Sequence, residues 1–153
     1  MKVPHEIARH VREVHFGGNW TFVNLKDTLS DLTWQQATTK VQNFNTIAAL
    51  VYHMNYYVSL VTKVLQGGPL DGKDQYSWET PSIESQEAWE QLRDKTFTDA
   101  ENFARQIELV PENILGEVFH DAKYGNYYRN LHGVIEHCHY HLGQIVIIKK
   151  LLA

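Results

Sequence analysis

Apolar positions recur at helical spacing in four stretches of the chain. In residues 3–16, Val3, Ile7, Val11 and Val14 share a face, with Arg9, Arg12 and Glu13 mostly on other faces. Pro4 suits the first turn, and Gly17-Gly18-Asn19 stops the helix. In residues 46–66, Leu50, His53, Tyr57, Val61 and Val64 line one face, widened by Ile47, Met54, Val58 and Leu65. Asn43 or Asn45 is the expected cap, and Gly67-Gly68-Pro69 ends this helix. Residues 82–110 carry a looser stripe of Trp89, Leu92, Thr96, Phe103 and Ile107, with Ser82 or Ser85 as cap and Pro111 as stop. In residues 126–152 the stripe is Val134, Cys138, His141, Ile145, Ile148 and Leu152, and Lys149 and Lys150 sit at the end where the helix dipole favours cations.

The intervening segments are less regular. Residues 24–30 read as a short helix, and Asp31-Leu32-Thr33 offers caps for a further turn. Residues 67–81 read as a loop with an Asp71-Gly72 turn, anchored in its second half by Tyr76 and Trp78. Residues 112–125 contain Ile114, Leu115, Val118 and Phe119 and are open between a strand, a hairpin arm and a turn of helix. Four long helices without a convincing strand predict an all-α four-helix bundle with long connections, one domain over residues 1–153. Metal and cofactor sites in such bundles are built in the core by side chains on facing helices.

Composition narrows the function classes. A chain of 153 residues with 43% hydrophobic and 21% charged residues suits one globular domain. Its formal charge of -4, with no Lys/Arg run, argues against a nucleic-acid partner. The first ten residues contain Pro4, Glu6 and two histidines where a signal peptide needs an apolar stretch, and no apolar run approaches a membrane span. The single cysteine, Cys138, permits no internal disulfide, so a reducing, cytoplasmic setting is expected.

The chemistry lies among the nine histidines. His137 and His141 are one helical turn apart on one face, the spacing at which two imidazoles reach a single ion. The same spacing also serves two boundary histidines that hydrogen-bond locally, and it does not choose between these readings. His53 lies on the apolar side of its helix, either as a core residue or as a ligand. His132 and His139 share a different face and read as surface or boundary positions; His5, His10 and His15 step by five and read as surface. His120 falls in the irregular connector. Cys138 falls in the apolar stripe and reads as a small buried hydrophobe. There is no G-x-S-x-G, P-loop, G-x-G-x-x-G or H-E-x-x-H motif.

The run from Leu131 to Ile145, with its core of His137, three residues, His141 and then Leu142-Gly143-Gln144-Ile145, resembles the C-terminal signature of the DinB-like (DNA-damage-inducible-type) superfamily of four-helix metalloproteins. Leu50-Val51-Tyr52-His53-Met54-Asn55-Tyr56-Tyr57 looks like the family's second-helix ligand motif, and Gly17-Gly18-Asn19-Trp20 is similar to its glycine-tryptophan turn. The resemblance implies a metal triad of His53, His137 and His141, nickel or zinc as the ion, and a thiol-dependent S-transferase or isomerase using bacillithiol, mycothiol or glutathione. Three histidines on one divalent ion leave coordination positions open, the pattern of a catalytic site. Gln144 and Asn130 are expected to line it, Tyr57 to donate to a metal-bound group, and Trp20 to form a wall. With no well-placed cysteine nucleophile, an external low-molecular-weight thiol is expected, and no catalytic group beyond the metal site is assigned. The resemblance further implies a small-molecule substrate; the alternatives are a metal-dependent hydrolase and a non-catalytic, stress-related structural metal protein, for which a homodimer is an open assembly. Residues 67–81 and 112–125 match no family motif and are where substrate selection is expected.

Overall fold

The computed structural model describes residues 1–153. Seven α-helices follow one another: α1 (Val3–Phe16), α2 (Leu25–Leu29), α3 (Trp34–Thr38), α4 (Ile47–Leu65), α5 (Asp74–Ser77), α6 (Gln86–Glu108) and α7 (Tyr127–Leu152). Two 3-10 turns, Glu112–Gly116 and Ala122–Tyr124, separate α6 from α7. No strand forms; extended backbone pairs only at an isolated Val118–Asn126 bridge. The connector left open in the sequence therefore resolves as two short turns, with Leu115 buried in the first and Phe119 buried between them.

The four long helices enclose one continuous apolar core. Each of α1 and α4 packs against both α6 and α7, so the ring order is α1, α6, α4, α7. Ile7, Val11, Leu50, Met54, Trp89, Phe103, Ile107, Leu131 and Ile145 meet inside. Each such side chain taken from water contributes roughly 1.5–3 kcal/mol, which is why the stripes turn inward together. Polar ties fix the register. Arg12 on α1 bridges to Glu101 and Glu108 on α6, and the Trp89 Nε1–H donates to the Leu32 carbonyl at 3.1 Å. No helix is long and apolar enough to cross a membrane.

Local chemistry adjusts two expected boundaries and bears out one expected turn. The cap of α4 is Thr46 rather than Asn43 or Asn45: its Oγ1 accepts from the Ala49 N–H at 3.1 Å. α6 starts at Gln86, capped by Ser85, because the Ser82 hydroxyl bonds the nearby Glu84 carboxylate and leaves residues 82–84 outside the helix. The turn after Asp31 is real and is held by a capping box between Thr33 and Gln36. One surface expectation fails outright. His15 is 2% exposed, and its Nδ1–H donates to the Val11 carbonyl at 2.7 Å. Four residues after Val11 and eight after Ile7, it continues the apolar stripe of α1 into the bundle. Burial then pushes the imidazole down to about 4.

Candidate metal centre

α4 and α7 run side by side and bring His53, His137 and His141 together. His53 occupies the apolar face of α4 between Leu50 and Tyr57, and the α7 pair occupies the edge of its own stripe. The Nε2 atoms converge: His53 to His137 is 3.0 Å, and His141 to His137 is 3.0 Å. His53 and His141 are buried and His137 is half-buried.

The protons on these rings follow from their outer partners. The Ser77 hydroxyl donates to the Asp74 carbonyl at 2.6 Å, so its oxygen accepts from the His53 Nδ1–H at 2.8 Å. The Gln144 Oε1 accepts from the His141 Nδ1–H at 2.6 Å. A neutral imidazole carries one proton, so both rings present a bare Nε2 lone pair to the centre. His137 has no such partner, and its Nδ1 is buried without a hydrogen bond. A proton on its Nε2 serves only one of the two facing Nε2 atoms, a proton on its Nδ1 serves neither, and Nδ1 is without a partner in both cases. Additional protons do not resolve this near neutral pH. Burial, then the neighbouring histidines, pushes His137 down to about 4; burial and His141 push His53 down to about 4, and burial lowers His141. Three neutral imidazoles with lone pairs aimed at one point are the donor set a divalent ion takes. The 3.0 Å separations also lie within the span of two metal–nitrogen bonds of about 2.1 Å.

Aromatic rings wall the cluster. Trp78 stacks on His53 with centroids 3.7 Å apart and planes 14° from parallel. Tyr57 stands edge-on to His53 at 5.3 Å and to His137 at 4.9 Å, and Tyr140 packs on His141 at 4.9 Å. On one side the cluster opens into a cleft of about 800 Å³, lined by His53, His137, Tyr57, Asp74, Arg129 and Asn130 among others. Tyr57 donates to the Asp74 carboxylate at 2.5 Å. Burial and Asp74 push the phenol up to about 12, and the Tyr57 bond holds the Asp74 carboxyl below its usual range.

Each expected neighbour of the site has a definite position. Gln144 is at the cluster, where its Oε1 accepts from the His141 Nδ1–H. Asn130 lines the cleft, with its amide Nδ2–H groups donating to the Tyr124 and Asn126 carbonyls. Tyr57 contacts both His rings, yet its hydroxyl is directed to Asp74 rather than to the centre. Trp20 is not a wall of this site. It is 94% exposed and borders a separate cleft with Arg9, His10, Glu13 and His139. The cause is Asn19, whose amide donates to the Glu13 and Val23 carbonyls, closing the turn and leaving Trp20 outside it. Cys138 is 1% exposed in the core, and burial pushes its thiol up to about 12, so it is no nucleophile.

Ser77, Asp74 and the stacking role of Trp78 were not legible in the sequence. They lie on α5 and just after it, inside the segment read as a loop. The only hint was Trp78 itself, whose apolar ring in a polar stretch needed something to cover. Compared with known proteins, the chain matches no family model, no curated protein and no solved structure.

Proposed function

We propose that the chain binds one divalent metal ion, nickel or zinc, through His53, His137 and His141, and that it is a metal-dependent S-transferase of the DinB-like four-helix type acting with a low-molecular-weight thiol. The observation that carries this reading is the convergence of three Nε2 atoms, two of which have their Nδ1 protons fixed outward by Ser77 and Gln144. A purely structural histidine cluster has no need of facing lone pairs. When bound, the ion supplies a Lewis acid that lowers the pKa of a coordinated thiol or water toward neutrality.

The chain's own residues do the rest. Ser77 and Gln144 keep the ring protons away from the centre. Trp78 covers His53 against water. Asp74 places a negative charge that favours positive charge at His53 and His137. The cleft beside His53 and His137 admits a small molecule, which favours a reacting or binding site over an ion that only ties α4 to α7. The absence of a usable thiolate at Cys138 favours an external thiol.

Elemental analysis of protein purified without an affinity tag tests the reading. About one equivalent of nickel or zinc per chain is expected, lost in His53→Ala, His137→Ala and His141→Ala, with thiol-dependent conjugation of an aryl halide lost in parallel. Metal-free protein whose folding is unchanged by chelator would sink the whole reading. Metal content without thiol-dependent turnover, but with ester cleavage, would favour a hydrolase. Metal content with neither activity would favour a structural role.

A further inference from the structure

The cleft that reaches His53 and His137 holds one arginine. Arg129 forms no ion pair and no side-chain hydrogen bond, while the other arginines, Arg9, Arg12, Arg93 and Arg105, all engage a carboxylate or a carbonyl. Its aliphatic stem is nevertheless seated. It lies over Gly125, where an added Cβ would stand 2.7 Å from the Arg129 Cδ. Gly125 has φ +79°, a left-handed conformation that glycine adopts without strain. A residue without a side chain therefore makes the bed for the arginine, and the tight turn before α7 keeps that bed in place. Arg129 also lies in the first turn of α7, where the helix dipole adds positive potential.

A free guanidinium presents a planar fork of donors that matches a carboxylate. Within the lining, the Asp74 carboxylate is already bonded to Tyr57, and Glu136 is exposed on the same helix. Neither pairs with Arg129. We infer that Arg129 is the specificity residue of the cleft, anchoring a carboxylate at one end of a small molecule whose thiol end reaches the histidine cluster. This rests on the metal-and-thiol reading and adds the class of thiol: one bearing a carboxylate. Arg129 and His137 are eight residues apart on one helix, about 12 Å along its axis at 1.5 Å per residue. The ligand must therefore be extended, with its charged group remote from its sulfur.

Two probes differ only in the remote group: ω-mercaptooctanoate and ω-mercaptooctanol. Full-length protein reconstituted with cobalt(II) is titrated with each, reading the thiolate-to-cobalt charge-transfer band; on binding, the thiol proton goes to buffer. The carboxylate should bind on the order of tenfold more tightly than the alcohol, with a preference that shrinks as salt is added. Arg129→Gln should abolish the preference without changing the affinity for the alcohol. Arg129→Lys should retain part of it, because the charge survives and the fork does not. Circular dichroism and cobalt content confirm that the variants fold and load. Equal binding of both probes by the wild-type chain, or an undiminished preference in Arg129→Gln, would overturn the role of Arg129 while leaving the thiol site intact. A charge-transfer band from neither probe in cobalt-loaded protein would overturn the thiol reading, and this inference with it.

Discussion

The His141 ring is oriented from within its own helix. Gln144 is three residues on, and its Oε1 takes the Nδ1 proton at 2.6 Å, leaving Nε2 free for the centre. Ser77 does the same for His53 from a different element. Partners of this kind commonly change metal affinity by about 10–100-fold when removed. Gln144→Ala and Ser77→Ala are therefore each expected to weaken metal retention by about that factor, read by competition against a chromogenic chelator, with the fold intact by circular dichroism. Affinity unchanged in both variants would show that the rings need no outer support. Gln144 was legible in the sequence because a separation of three residues on a helix is a local property. Ser77 was not, because nothing in its neighbourhood announces a contact with a histidine 24 residues earlier.

At the scale of elements, short polar contacts set where helices begin. Thr46 caps α4 through the Ala49 N–H, and α4 carries His53. Thr46→Ala should lower stability by about 1 kcal/mol, measured by urea denaturation, while Asn43→Ala and Asn45→Ala should be close to neutral. The reverse ranking would return the cap to the asparagines. The four long helices were readable because each shows its apolar stripe over several turns. Three asparagine or threonine positions within four residues compete to cap α4, and periodicity cannot rank them. α5 escaped notice for a related reason: one turn of helix is too short to show a period. It nonetheless delivers Ser77 and Asp74, and it leads directly into Trp78.

At the scale of the molecule, the bundle buries neutral imidazoles away from the three-histidine cluster as well as within it. His15 has an ordinary value near 6.5 and is pushed down to about 4 in the fold by burial. The unfolded chain takes up this proton below about pH 6.5, and the folded chain does not until about 4. His15 thus costs no stability above about pH 6.5, and the cost grows as pH falls from there toward 4, by up to about 1.4 kcal/mol per unit. Urea midpoints of chelator-treated protein should fall between pH 7 and pH 5, and His15→Leu should make that fall shallower. An equal slope in the variant would mean that His15 is not the group responsible. The sequence alone determined which face of each long helix turns inward, and so which histidines face the core, because a helix repeats every 3.6 residues whatever surrounds it. His15 obeys that logic although it was read as surface: it is four residues after Val11 and eight after Ile7, so it continues the buried stripe of α1, and the spacing among the histidines hid this. Only the tertiary structure decided that α4 and α7 are neighbours, that the Nε2 atoms of His53 and His137, 84 residues apart in the chain, stand 3.0 Å from each other, and that Trp20 points away from them. Such contacts depend on which stripes pack together and on how each turn closes, and neither is written in any one helix.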